Sequence, residues 1–323
     1  MKSIDRRSFM KGSLLAAAAI SFPANIPVQA AAGAPESGIG NSGPVIIDTD
    51  INLFEWPYRT LKYGDNTRAL VAKLRKHGIA QAWAGSYEAL FHKNLSAVNS
   101  RLAAECRTNG EGMLLPFGTV NPAWADWEED LRRCHEVHKM PGIRLYPGYQ
   151  YFGFEDPAFA RLLKLAGERG LIVQIVGEME EPRVHHPSLV VREFDLTALA
   201  TALKATPQTK VQLVHFSPFI FISGGQVSQK AREQVLHETN VVFDISRLEG
   251  NGIVGRVLGV EEPLGVSGVG KIPLERLLFG SHAPYFPVET SVMRLFESPL
   301  TLPQMQAIME GNARRFLGSP KNA

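Results

Sequence analysis

The chain has 323 residues, 45% hydrophobic and 20% charged, a balance that permits a sizeable folded core and leaves no low-complexity or charge-dense stretch to read as disorder. Beyond the first thirty residues, no run is long and apolar enough to cross a bilayer as a helix. The formal net charge is +2, but residues 1–30 carry four basic side chains against one acidic. The remainder is therefore close to −1, too little positive charge for a nucleic-acid face.

The N-terminus reads Asp5-Arg6-Arg7-Ser8-Phe9-Met10-Lys11, then a greasy stretch from Gly12 to Phe22, then Pro-Val-Gln-Ala30. A charged region, a short apolar region and a small-residue cleavage site make a secretory signal peptide over residues 1–30. The paired arginines resemble a twin-arginine (Tat) export signal, which implies the Tat machinery as a partner of the precursor and a periplasmic location. A short membrane anchor is the alternative. Residues 31–44, rich in Gly, Ala, Ser and Pro, read as a linker, and 318–323 as a tail.

From Val45 onward, short β-branched runs alternate with longer amphipathic stretches. The runs are Val45–Asp50, Ala80–Ala84, Leu114–Val120, Gly142–Leu145, Leu171–Ile175, Val211–His215, Val241–Ile245 and Leu277–Ser281. Between them, Leu70, Val71 and Leu74 recur at helical spacing after Asn66, as do Trp127, Leu131 and Cys134 after Asp126. Further helices are expected over Pro157–Arg169, Leu196–Ala205, Gly225–Glu238 and Leu302–Leu317, with stop signals at Lys76-His77-Gly78 and Glu168-Arg169-Gly170. Eight strands alternating with helices in residues 45–317 fit one α/β domain, a closed (β/α)8 TIM barrel, better than an open sheet. Cys106 and Cys134 fall on apolar helix faces and read as buried thiols, with a disulfide left open.

In such a barrel the site lies at the C-terminal ends of the strands. In order, those positions offer Asp48-Thr49-Asp50-Ile51-Asn52; Trp83, Ser86 and His92; Asn121; Arg144-Leu145-Tyr146; Gln174 followed by a loop with Glu178, Glu180, Glu181, Arg183, His185 and His186; His215; Asp244 and Arg247; and Ser281-His282. Polar groups at nearly every strand tip mark a site rather than a packed core. His77, His135, His138 and His237 sit on or beside helices and read as surface residues. Trp56, Trp83, Trp124 and Tyr151 read as packing groups, with Trp56 also placed to line a pocket. A buried Arg144 would require a carboxylate, internal or on a substrate. Asp244 could serve as a structural partner of Arg247.

The segments Ile46-Ile47-Asp48, Pro141-Gly142-Ile143-Arg144-Leu145, Gly170-Leu171-Ile172-Val173, Leu277-Leu278-Phe279-Gly280-Ser281 and Gly311-Asn312-Ala313-Arg314-Arg315-Phe316-Leu317, in this order, resemble the amidohydrolase-related (amidohydrolase family 2) hydrolases and decarboxylases over about 45–317. The resemblance implies a metal held by a His-x-His on strand one, a His after strand five, a His on strand six and an Asp on strand eight. Here these positions hold Asp50-Ile51-Asn52, Val176 (with Gln174 two residues earlier), His215 and His282. One implied site keeps a divalent ion, with Zn²⁺ favoured, on Asp50, His215 and His282, completed by an oxygen from Asn52 or a strand-five-loop Glu. The other binds no ion and uses the same residues as acid/base or hydrogen-bonding groups.

The expected function is an exported hydrolase that cleaves a small-molecule amide, lactone or ester. Its catalytic residues would be Asp50, His215, His282 and Arg144, with Asn52, Gln174, Glu178, Arg183 and His185 toward the substrate. A decarboxylase of the same family, or a metal-less barrel that binds or senses a ligand, are the alternatives. Whether the chain forms a homo-oligomer is left open.

Overall fold

The structure, a computed structural model, describes residues 45–193, 195–216, 228–260 and 272–318. The expected export signal and linker (1–44) and the last five residues lie outside these. Among the described residues, no helix is long and apolar enough to cross a membrane.

Eight parallel strands pair in sequence order: β1 (Ile46–Leu53), β2 (Ile79–Ser86), β3 (Leu114–Gly118), β4 (Gly142–Leu145), β5 (Ile172–Val176), β6 (Lys210–Val214), β7 (Val242–Asp244) and β8 (Leu277–Leu278). The seam between the last and first strands is closed by the residues just after β8. Thr49 N donates to Phe279 O at 2.9 Å, His282 N to Asp50 O at 2.9 Å and Asn52 N to Ala283 O at 2.9 Å. This is a (β/α)8 TIM barrel.

The intervening helices include α1 (Thr67–Lys76), α2 (Leu95–Asn109), α3 (Trp127–Arg132), α4 (Pro147–Gln150), α5 (Pro157–Glu168), α6 (Leu196–Ala205), α7 (Gln229–His237), α8 (Ile253–Leu258), α9 (Val288–Glu297), α10 (Leu302–Gln306) and α11 (Asn312–Leu317). Their starts follow capping chemistry. Asn66, Asn94, Asp156 and Asp195 each accept a backbone N–H of the first turn. Chain reversal after α1 and α5 falls on Gly78 and Gly170, with φ of 78° and 69°, where a side chain would be strained.

The elements differ from expectation in several places, among them β3 and β8, which end early at Gly118 and Leu278. β1 continues three residues past Asp50, because Ile51, Asn52 and Leu53 pair with Ala84, Gly85 and Ser86; the polar letters there face the barrel interior rather than a loop. The last expected helix is split by a wide turn over Ala307–Gly311 between α10 and α11. Helix α9, packed through Val288, Ser291 and Leu295, has no counterpart in the sequence reading. Cys106 and Cys134 are free, buried thiols, both pushed up to about 12 by burial. Trp124 and Tyr151 are exposed rather than packed.

The barrel interior has three levels. At the N-terminal end, Trp83 stacks on Phe117 at 5.1 Å and is backed by Phe316, forming an apolar plug with Ile47, Ile172, Val242 and Leu278. Above it lies a polar belt. The register sets Arg144 beside Gln174 and Gln174 beside Gln212. Gln174 Nε2 donates to Gln212 Oε1 at 2.8 Å, and Gln212 Nε2 reaches across to Thr49 Oγ1 at 2.8 Å. At the C-terminal mouth, Trp56, Tyr87, Tyr146, Tyr149, Val176, Met179 and Val214 form a separate, largely aromatic cluster.

Candidate active site

Asp50, His215 and His282 meet at that mouth. Each offers one ligand atom, and the three atoms lie within 4.8 Å of one another. His215 Nε2 touches Asp50 Oδ2, and His282 Nδ1 lies 3.9 Å from the same oxygen. All three side chains are buried.

Backbone geometry puts the imidazoles there. His215 directly follows β6 and His282 lies four residues past β8, and both have φ of 58°, in the left-handed region that few non-glycine residues enter. Each is held in it from outside: His215 N donates to Asp244 Oδ2 at 3.1 Å, and His282 N to Asp50 O. Asp244 also accepts from Ser246 N, while Arg247 Nη1 donates to Glu178 O; the expected Asp244–Arg247 pair is therefore replaced by two backbone anchors. Gly280 is needed beside Asp244, since a Cβ there would stand 2.8 Å from the Asp244 Cβ.

Burial governs the protonation. It lowers His215 to about 3 and His282 well below the ordinary histidine value, so both rings are neutral at pH 7. His282 Nε2 donates to Met179 O at 2.8 Å; a carbonyl can only accept, so the proton is on Nε2 and Nδ1 turns a lone pair toward Asp50. Among the described residues, Nδ1 of His282 has no hydrogen-bond partner. Burial also raises Asp50, opposed by the charge of Arg144. Behind it, Asp48 is pushed up to about 8 by burial, and its Oδ1 accepts from the backbone of Asp50 and Ser281.

Arg144 finds its carboxylate within the protein: Nη1 lies 3.4 Å from Asp50 Oδ1. Its hydrogen bonds go elsewhere, from Nε to Gln174 Oε1 (2.8 Å), from Nη1 to Ile51 O (2.8 Å) and Asn52 Oδ1 (2.9 Å), and from Nη2 to Trp83 O (3.2 Å). Asn52 Oδ1 accepts from Tyr146 OH as well. Gly85 gives the guanidinium its space, because a Cβ there would stand 2.7 Å from Arg144 Cδ and Nη1. Asn52 and Gln174, expected toward the substrate, thus hold Arg144 instead; Asn52 stands where the resemblance places the second histidine of the His-x-His, and Gln174 two residues before Val176, the strand-five ligand position.

The strand-five loop contributes differently from expectation. Glu178 is half-buried and engaged through its carbonyl; Arg183 points to solvent and pairs with Glu181; His185 donates from Nε2 to Glu180 O at 3.1 Å. The buried member is Glu180, whose Oε2 accepts from Tyr285 OH at 2.8 Å. Tyr285 stacks on His282 with centroids 4.8 Å apart and meets the edge of Trp56. The sequence reading named Glu180 only as one of several charged residues in its loop and did not single out Tyr285, although Tyr285 follows His282 by three residues.

A closed barrel whose mouth gathers a carboxylate and two imidazoles has a side-chain group that could hold a metal ion. The chain is a member of the amidohydrolase family (Amidohydro_2), which matches residues 47–319. Similar solved structures include 5-carboxyvanillate decarboxylase LigW from Sphingomonas paucimobilis, 14% identical, with a TM-score of 0.61 over 85% of this chain and 99% of that one. 2,6-Dihydroxybenzoate decarboxylase from Rhizobium is 14% identical, with a TM-score of 0.57 over 85% and 98%. Dihydroxybenzoic acid decarboxylase from Polaromonas sp. JS666, with bound manganese and 2-nitroresorcinol, is 12% identical, with a TM-score of 0.59 over 85% and 97%. At these identities the likeness is one of fold. No curated protein matches the chain.

Proposed function

We propose that the chain is an exported, metal-dependent hydrolase of a small amide, lactone or ester. The observation that carries this reading is the convergence of Asp50, His215 and His282. The donor set fits a divalent ion. Two imidazoles are kept neutral by burial, the Nδ1 of each has no hydrogen-bond partner among the described residues, and Asp50 Oδ2 is within reach of both rings. Two histidines and one carboxylate with an open position suit Zn²⁺, and Mn²⁺ is the next candidate.

Held by Asp50, His215 and His282, such an ion would supply Lewis-acid polarisation of a carbonyl and activation of water. The protein's own residues prepare for this. Arg144 lies against Asp50 Oδ1 and favours its ionised form, while Oδ2 faces the histidines. The Met179 carbonyl fixes the His282 tautomer. The aromatic mouth of Trp56, Tyr87, Tyr146 and Tyr149 is buried and would keep water away from the site.

That mouth favours a second reading, decarboxylation of an aromatic acid, the reaction in the names of the decarboxylases cited above. Arg144 does not grip the substrate carboxylate in this reading, since it is fully buried and four of its five N–H groups are bonded within the protein. Purified mature protein loaded with Zn²⁺ or Mn²⁺ and assayed against lactones, aryl esters and hydroxylated benzoates tests both readings. Ring opening or ester cleavage that is lost in His282→Ala supports the first; CO2 release supports the second. A metal content below about a tenth of an ion per chain after loading overturns both. Export through Arg6-Arg7 is tested by fractionating cells that carry Arg6→Lys with Arg7→Lys, which should retain the precursor in the cytoplasm.

A further inference from the structure

Three loops that lie far apart in sequence converge on the His282 ring, and Glu180 is where they lock. The segment Glu178–Met179–Glu180 is held at each residue. Arg247 Nη1 donates to Glu178 O at 2.9 Å, Tyr149 OH accepts from Met179 N at 3.0 Å, and His185 Nε2 donates to Glu180 O at 3.1 Å. The Glu180 carboxylate, 3% exposed, ties this segment to the loop after β8 through Tyr285 OH at 2.8 Å and to the loop after β1 through Arg59 Nη2 at 3.4 Å. Arg59 also lies over the Tyr285 ring, 4.5 Å from its centroid. Two contacts from this assembly then reach His282: the Met179 carbonyl takes its Nε2 proton, and the Tyr285 ring stacks on its face at 21°.

We propose that Glu180 is a positioning residue which, through Tyr285 and the Met179 carbonyl, fixes the tautomer and plane of His282 so that Nδ1 points at Asp50. The physical reason is reach. A lone ring–carbonyl hydrogen bond on a loop leaves imidazole rotation open, whereas a buried carboxylate that joins two loops through a phenol fixes both the carbonyl and the ring that stacks against it. The position matters because His282 stands where the resemblance expects a strand-eight aspartate, and an imidazole, unlike a carboxylate, is a ligand at only one nitrogen per tautomer.

The test has two readouts. In apo protein labelled with ¹⁵N-histidine, NMR reports which ring nitrogen of His282 carries the proton, and titration with Zn²⁺ and Mn²⁺ reports affinity. Wild type should show a single Nε2–H tautomer. Glu180→Ala should show a mixture of tautomers and a 10–100-fold loss of metal affinity, whereas Glu180→Gln, whose amide oxygen still accepts from Tyr285, should stay within about threefold of wild type. Should Glu180→Ala fail to fold, Tyr285→Phe, which keeps the ring but breaks the bond to Glu180, should show the same two changes in weaker form. A soluble variant lacking the Tyr285–Glu180 bond, with an unaltered tautomer and wild-type affinity, overturns the proposal. Only the affinity readout rests on the metal reading. A wild type that binds neither ion sinks the proposed function, while the tautomer still decides the role of Glu180.

Discussion

The rings of His215 and His282 have centroids 3.8 Å apart, and both residues have φ of 58°. The same unusual backbone bend, placed after β6 and after β8, turns two side chains from different strands onto one carboxylate. The bend is a cost carried by residues that could otherwise be aliphatic, and it separates two contributions that mutagenesis normally mixes.

Asparagine enters the left-handed region more readily than β-branched residues do. His215→Asn and His215→Val should both abolish stoichiometric metal binding. The valine variant should also be less stable than the asparagine variant by about 1–2 kcal/mol, read as the difference in urea midpoints. Equal stabilities would mean that the bend relaxes when the imidazole is removed.

Arg144 should tolerate nothing. Arg144→Met removes the donor from Gln174, Ile51 and Trp83, leaves Asn52 with Tyr146 OH alone, and strips Asp50 of its cation. The expected loss is about 3–5 kcal/mol. Gly85→Ala, which crowds the same guanidinium, should cost about 1–3 kcal/mol and weaken metal binding, both measured on soluble protein by denaturation and titration. A neutral Gly85→Ala would show that Arg144 has room to move.

Apo-protein stability should fall as pH rises from 7 to 8. The sign follows from the proton count. Near pH 6.5 the unfolded chain still holds protons on the two histidines that burial keeps neutral in the folded state, His215 and His282, and this offsets the fall; above pH 7 most of those protons are gone. Asp48, raised to about 8, keeps its proton in the folded state while the unfolded chain has lost it. Folding therefore takes up about half a proton across this window, and stability drops by roughly 0.5–1 kcal/mol per pH unit. Asp48→Asn preserves an acceptor for Asp50 N and Ser281 N and should flatten the slope in urea titrations at three pH values. An unchanged slope would assign the linkage to other groups.

The thiols offer a simpler check. Burial that pushes Cys106 and Cys134 up to about 12 should leave both inert to Ellman's reagent in native protein and both reactive in guanidinium. Fast labelling of either in the native state would place it at the surface.

Much of this architecture was readable from the order of residues, because a buried parallel strand writes itself as a short β-branched run and each helix end carries its own cap or glycine. Asp50, His215 and His282 were legible by position alone, as side chains at strand tips in a barrel. The role of Arg144 was half legible: burial implied a carboxylate, but which one depends on how β1 and β4 face each other across the interior. Asn52 and Gln174 were assigned toward the substrate because polarity at a strand tip looks the same whether it faces a ligand or another side chain. Glu180 was lost among the charged neighbours of its loop, since only its burial distinguishes it from Glu181. Helix α9 was missed because its start, Pro287-Val288-Glu289-Thr290, lacks a capping side chain.

The seam of the barrel runs through the site. Asp50 and His282 are joined by the backbone bond that closes the cylinder, and Asn52 and Asp48 supply the bonds on either side. Any lineage that retunes these positions for a new reaction must rewrite the weld that keeps the ring shut, so changes of chemistry and changes of robustness are inherited together. Screens that score only lost turnover at these residues will count broken barrels as broken catalysts.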